Sequence, residues 1–347
     1  MNTRHAFTLV EVLTVIVIIS ILAALVTVAV AGAMRAGQRA RIGVQMSQIA
    51  MNLEHYKAEF GEYPPDMFDY ETLVRHVKKR WPRLDWSKMP QIPSGHPRPN
   101  GWGAMTPAEQ TIWEEAWSIK SAIDQAYGGH NVGFSREDFD NPYPSRPPLG
   151  ALVLWLGGFP NADGKFSGFG ADPANPFTIS NGAYDKRVFI DMELGKSVHL
   201  IDHGSWTIPV IGNEVRGTFV PIVYFRGRAD GGNGAYRVSG VTSRTYKLDR
   251  LEVKQFRFAN SSEPNWCVPY AEEEHSVGIK WKNPTTYQLL HSGLDGIFGI
   301  EGWDRSDTGP VPNQGRRFIK TGNGIGLQDL DNLTNFSDYK ELKSILP

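Results

Sequence analysis

One ionisable side chain stands inside the most apolar stretch of the sequence. Glu11 lies within residues 7–31, FTLVEVLTVIVIISILAALVTVAVA, where the other residues are aliphatic, aromatic or hydroxyl-bearing. A charge in such a run is costly and marks a functional position by default. The other candidates for chemistry are weaker. His199 and His203 are four apart, as zinc ligands on a helix would be. They lack the adjacent glutamate of a metalloprotease and fall in a segment that reads as strand and turn, so they read as packed or solvated histidines. Glu272, Glu273 and Glu274 read as a solvated charge run. Cys267 is the single cysteine, which excludes an intrachain disulfide and reads as a small buried residue. No phosphate-cradling glycine loop and no nucleophile elbow occurs, so the chain reads as structural rather than as an enzyme.

The element that positions Glu11 is a helix. Residues 7–31 would span about 37 Å at roughly 1.5 Å per residue, enough for a hydrocarbon core of about 30 Å. The run is longer than a secretory h-region of roughly 7–15 residues, and no small-x-small cleavage site follows its first half. No proline occurs between Phe7 and Pro64. Ile42, Met46, Ile49, Leu53, Tyr56 and Phe60 alternate steps of four and three, a single helical stripe that most simply packs on a globular domain. The spacing predicts one unbroken helix from about Thr8 to about Phe60. A gentle bend is allowed at Gly32, Gly37 and Gly43, and the helix should end near Gly61, ahead of Pro64 and Pro65.

Arg4-His5-Ala6-Phe7-Thr8-Leu9-Val10-Glu11 resembles the processing site of type IV pilin-like and type II secretion pseudopilin precursors. The resemblance implies cleavage by a prepilin peptidase between Ala6 and Phe7, N-methylation at Phe7, and assembly through Glu11. It departs from the family's pattern at Ala6, where Gly is usual, at Ser20, where many members have Gly, and at Val28, where many have a kinking Pro. Leu53-Glu54-His55-Tyr56-Lys57-Ala58-Glu59-Phe60-Gly61-Glu62-Tyr63-Pro64 resembles the helix-to-loop passage of the major pseudopilins, with Tyr56 and Tyr63 as core residues. The resemblance implies partners among other pilin-like subunits, inner-membrane assembly machinery and membrane lipid. Arg35, Arg39 and Arg41 beyond the run outweigh Arg4 in positive-inside counting. The processing site nevertheless needs a cytoplasmic leader, so the expected topology is a single pass of the bacterial inner membrane with the C-terminal part periplasmic.

Beyond the helix, 36 glycines and 23 prolines predict many turns. Tyr70, Leu73, Val74, Val77 and Trp81 share a helical face that Pro82 stops. Thr106-Pro107-Ala108-Glu109 is a capping box opening a helix with Ile112, Ala116, Ile119, Ile123 and Tyr127 on one face. The short apolar run 149–156 leans to helix. Residues 90–103 and 141–148 read as surface loops. From Phe166 on, β-prone runs recur at 187–194, 206–211, 218–226, 235–238, 277–281 and 285–290, separated by Asp-Gly turns. Helices first and strands after give an α+β fold, with the long N-terminal transmembrane helix continuing into a soluble domain with an antiparallel sheet and extra helices. The expected division is a leader at 1–6, the transmembrane and assembly helix at 7–31, its soluble continuation at 32–62, and a globular domain at 63–347 with a helical, Pro-rich insertion at about 81–148.

Ser292-Gly293-Leu294-Asp295-Gly296-Ile297-Phe298-Gly299 resembles the late calcium loop of the major pseudopilins. Acids follow at Glu301, Asp304, Asp307, Asp329 and Asp331, with Asn332 beside the last. The resemblance implies Ca²⁺ held by a set drawn from Asp295, Asp304, Asp329 and Asp331. Read for themselves, the Asp-Gly pairs serve equally as turn formers. A net charge of −1 leaves no global basic footprint, so nucleic acid is not the expected partner. Two other functions remain as alternatives. A competence-type minor pilin would bind DNA, with Arg226, Arg228, Arg237, Arg244 and Lys247 as the nearest basic cluster. A membrane-anchored periplasmic enzyme would keep a soluble activity once the first helix is removed.

Overall fold

The computed structural model describes residues 9–67, 69–96, 98, 102–127, 150–203, 206–215, 217–228, 256–257, 266–267, 269–275, 278–298, 317–319 and 329–346. Its longest element is α1, Leu9–Phe60, a single helix of 52 residues. The hydroxyls within its apolar half turn back onto the helix itself: Thr14, Ser20 and Thr27 each donate to the carbonyl four residues earlier at 2.8 Å. No polar group of these three side chains is therefore left bare in an apolar surrounding. The helix is unbroken through Val28, where a proline would remove a hydrogen bond and clash with the preceding turn. It closes at Gly61, whose φ is +75° and whose N–H reaches Lys57 O at 2.7 Å, a left-handed glycine stop.

The two halves of α1 have different surroundings. Side chains from Leu9 to Met34 stand in the open, with Leu9 84% and Val28 75% exposed. From Ile42 on, the expected stripe is buried: Ile42, Met46, Ile49, Leu53 and Tyr56, with Phe60 packed against the same core.

Helix α2, Tyr70–Arg80, begins where Asp69 accepts the Glu71 N–H and the Thr72 hydroxyl. It buries Leu73, Val74 and Val77. Helix α3, Pro107–Ala126, starts on the expected capping box of Thr106 and Glu109 and packs on α2, with Lys78 paired to Glu115 at 2.6 Å. Helix α4, Ala151–Gly157, is buried along its whole length. Of the insertion expected at about 81–148, residues 97, 99–101 and 128–148 lie outside the described residues.

The run 187–194 differs from expectation. It forms no strand, only isolated bridges from Glu193 to Lys165 and from Leu194 to Val198. Its amides are used locally instead: Phe189 and Ile190 both donate to Leu156 O at the end of α4, and Asp185 accepts from Phe169 and Arg187. With those donors taken, no ladder can form.

Strands β1 (Val198–His203), β2 (Trp206–Val215) and β3 (Thr218–Pro221) make an antiparallel sheet in that order. The apolar run 218–226 is split at Ile222, and its second part, β4 (Val223–Arg226), joins another sheet. Pro221 has no N–H to carry a ladder onward, which suits it to this switch. Short β5 (Phe256–Arg257) pairs with β6 (Trp266–Cys267). β7 (Tyr270–His275) pairs antiparallel with β8 (Gly278–Trp281). β9 (Tyr287–His291) lies between β4 and the late β11 (Leu333–Thr334), antiparallel to both. β10 (Arg317–Phe318) runs parallel to β7, the one departure from antiparallel pairing among the described ladders. The strand expected at 235–238 lies outside the described residues.

Candidate functional site

Three places on this frame carry the residues of interest. The first is the open half of α1. It is the one helix among the described residues long and apolar enough to cross a membrane. Glu11 sits exposed in its first turns. Ala6 and Phe7 lie outside the described residues. Arg35 and Arg41 stand exposed past the apolar run, while Arg39 reaches Glu341 of the C-terminal segment at 2.7 Å.

The second is the junction where α1 ends, which sequence reasoning took as packing alone. Tyr56 is fully buried, and its hydroxyl lies 2.6 Å from His76 Nε2. His76 Nδ1 lies 3.1 Å from Glu62 Oε1. Glu62 Oε2 accepts from Arg226 at 2.7 Å and from Arg75 at 3.3 Å. Arg80 donates to the Tyr56 oxygen at 3.0 Å. Burial by itself would raise the Glu62 carboxyl, but the hydrogen bonds from His76 and Arg226 and their charges hold it well below the usual carboxylate range. Burial lowers the His76 imidazole to about 4 against the opposing pull of Glu62, and it pushes the Tyr56 phenol up to about 12. The Nδ1–H of a neutral His76 donates to the ionised Glu62, and its Nε2 then accepts from the Tyr56 hydroxyl. Asp66 accepts the Arg226 N–H at 2.8 Å, and Tyr224 donates to Pro64 O at 2.7 Å. The network ties α1, the Pro-Pro loop, α2 and β4 into one body. No substrate can reach its fully buried members, Tyr56 and His76. Arg226, offered by sequence as part of a DNA patch, is 5% exposed and engaged with Glu62. A buried, paired guanidinium cannot meet a phosphate, so Arg226 drops out of that patch. Arg237, Arg244 and Lys247 lie outside the described residues. The only signal in the sequence was a lone acid between the helix-stopping glycine and Tyr-Pro.

The third place is the late loop. Gly293 (φ +71°) lets the backbone turn over Asp331, and a Cβ there would lie 2.3 Å from the Asp331 carbonyl oxygen. Asp331 Oδ2 accepts the Leu294 and Asp295 amides at 2.8 and 3.2 Å. Asp295 caps its own turn through the Ile297 amide at 2.8 Å. Asp329 is fully buried and accepts from Tyr270 at 3.1 Å and from Asn332 at 2.9 Å. Asp304, Glu301 and Asp307 lie outside the described residues. Ser292 Oγ, Asp331 Oδ1 and Asn332 Oδ1 are buried with no hydrogen-bond partner among the described residues. Burial raises the Asp331 carboxyl, opposed by the two amides. Among the described residues no three His, Cys, Asp or Glu side chains converge as a metal set. Orphaned hard oxygens on two neighbouring segments suit a hard cation. Of the four expected acids, only Asp331 keeps a carboxylate oxygen without a hydrogen-bond partner among the described residues, whereas Asp295 and Asp329 spend their carboxylates on the protein.

His199 stacks on Phe219 at 4.3 Å, and on an extended strand it stands roughly 13 Å along from His203, too far for one zinc ion. Cys267 is buried in an apolar cluster with Phe225 and Leu290.

Compared with known proteins, residues 1–27 match the family model described as the prokaryotic N-terminal methylation motif. No curated protein and no solved structure matches the chain. The matched segment is the signature of type IV pilin-like and pseudopilin precursors, which prepilin peptidase processes and which assemble with other pilin subunits. Its residues 9–27 open the apolar half of α1, and a larger α+β part follows that helix.

Proposed function

We propose that the chain is a structural pilin-like subunit, a pseudopilin, of a type II secretion or type IV pilus-like filament in a bacterial envelope. The subunit sits in the inner membrane with its leader cytoplasmic and its globular part periplasmic. Once processed, it leaves the bilayer for a filament whose core is stacked helices. The observation that carries this reading is the open apolar half of α1, continuous with the methylation motif and ending on a globular part. A helix bare on every side needs lipid or other helices around it. Glu11 is the assembly residue: it lies one helical turn from the amine that cleavage creates at Phe7 and pairs with that amine on a neighbour. Such a pairing sets register, because a buried charge without a partner is penalised. Calcium is the ion proposed for the late loop, held by Asp331 with Ser292 and Asn332. The test of the whole reading is intact mass and N-terminal sequencing of protein from cells carrying a prepilin peptidase. The expected chain starts at N-methylated Phe7, and a chain retaining residues 1–6 there would overturn the reading.

A further inference from the structure

Glu11 and Arg35 bracket 23 residues of α1 that carry no charge. At roughly 1.5 Å per residue these cover about 35 Å, a tilted crossing of a ~30 Å hydrocarbon core. The far end of the span therefore reaches the headgroups at Arg35, and Arg39 and Arg41 follow within about 9 Å. No acid occurs in α1 between Glu11 and Glu54. At about 100° per residue, Arg39 falls roughly 40° round the helix from Arg35, and Arg41 roughly 120° the other way. The three cations encircle the helix rather than line one side.

The fold brings more cations to this level from the far end of the chain. Glu341 bridges Arg39 at 2.7 Å to Lys343 at 2.6 Å, which sets Lys343 beside Arg39. Lys340 borders the same groove as Arg39 and Gly43. Arg35, Arg41, Lys340 and Lys343 are exposed. Residues 35–41 and 338–343 hold five cations against two acids, Asp338 and Glu341, a local net of +3 in a chain whose total is −1. Asp331 behind them turns one carboxylate oxygen onto the late-loop amides.

We propose that this basic collar binds the headgroups of anionic phospholipids on the side of the membrane where the globular part lies, an inference that rests on the membrane reading above and names its lipid partner. Shape selects this occupant. A protein would meet one side of α1, whereas a layer of phosphates meets every cation around a helix that emerges through it. Long basic side chains lay their stems along the helix and carry the charge back to the phosphates. The attraction fades over about 8 Å at physiological salt, so it acts here because the span holds the collar at headgroup level. Arginines beyond the span, which run against positive-inside counting, then have a lipid role.

The experiment uses the full chain in nanodiscs of phosphatidylcholine, alone or with about 30% phosphatidylglycerol. Ser344→Cys, exposed next to Lys343, carries a fluorophore read by headgroup spin-labelled lipid, and the buried Cys267 stays unlabelled. Quenching is expected to be at least threefold stronger in the anionic discs. Molar salt should remove the difference, because the screening length shrinks to about 3 Å at 1 M. Arg35→Gln, Arg41→Gln, Lys340→Gln and Lys343→Gln together should remove it too, while Arg35→Lys with Arg41→Lys should keep it. Equal quenching in the two discs, or a difference that survives the four Gln changes, would overturn the collar and leave the membrane reading intact. A fluorophore at Val28→Cys that acyl-chain spin labels fail to quench in either disc would overturn the membrane reading and the collar with it.

Discussion

At the level of single residues, Glu62 and His76 decide how firmly the end of α1 is held. His76 is neutral when folded, with its imidazole lowered to about 4, whereas an unfolded histidine titrates near 6.5. The unfolded chain therefore takes up a proton first as pH falls. Stability is full above about 6.5 and is lost progressively down to about 4. Glu62, whose carboxyl is also depressed, acts in the same direction at lower pH: its contribution is present above about 4.3 and is lost as pH falls through the folded value. Thermal melts from pH 8 to 4 should show Tm falling below 6.5, and His76→Leu should flatten that slope. An unchanged slope in the variant would remove His76 as its source. Glu62→Gln removes the carboxylate paired with the buried Arg226 guanidinium, at a cost of about 3 kcal/mol. Asp331 offers a separate test. Chelation of calcium should lower Tm of the parent, added Ca²⁺ should restore it, and Asp331→Asn should abolish the difference; a parent insensitive to chelator would exclude the ion. Little of this was legible beforehand. Glu11 announces itself because everything around it is apolar. Glu62, His76 and Arg226 are far apart in the chain, and ordinary polar residues gain meaning only when the fold brings them together.

At the level of elements, legibility followed periodicity. The stripe from Ile42 to Phe60, the capping box at Thr106 and the face of α2 repeat every three or four residues, so the sequence pattern and the packed helix carry the same information. Residues 187–194 look like a strand by composition but lie beside α4, whose Leu156 carbonyl takes the Phe189 and Ile190 amides while the Asp185 side chain takes that of Arg187. Tertiary competition for hydrogen bonds leaves no trace in propensity. The split at Ile222 is similar, since the apolar run is continuous and only Pro221 hints at a change of sheet. The helix stop is testable here. Gly61 holds φ +75°, and a Cβ would meet only the flexible end of Lys79, so Gly61→Ala costs mainly left-handed strain, about 1 kcal/mol. Gly32 and Gly37 lie in the helix with open space around them, and Ala at either should stabilise by a similar amount. Circular-dichroism melts of the full chain in detergent separate the cases. A neutral Gly61→Ala would mean that the junction relaxes without strain.

At the level of the whole molecule, one acid stands in the open half of α1. Among the described residues the side chains of α1 from Leu9 to Met34 stand exposed, so in the membrane lipid covers them and in a filament other subunits must. Lipid and helix neighbours are nearly equal as apolar solvents, which leaves specificity to groups that lipid cannot satisfy. Glu11 is such a group. At a bilayer centre an acidic side chain costs roughly 2.5–3.5 kcal/mol on insertion scales, and near one end of the span it costs less. Glu11→Ala therefore does not impair insertion, and Glu11→Gln keeps the shape while removing the charge. Both variants are expected to be processed, folded and present in the membrane fraction at parental abundance, yet to fail in entering filaments. Sheared-filament yield beside a membrane-fraction blot reads both quantities in one culture. If Glu11→Gln assembles as the parent does, the charge is not what sets register, and the pairing of Glu11 with a neighbour's amine is wrong.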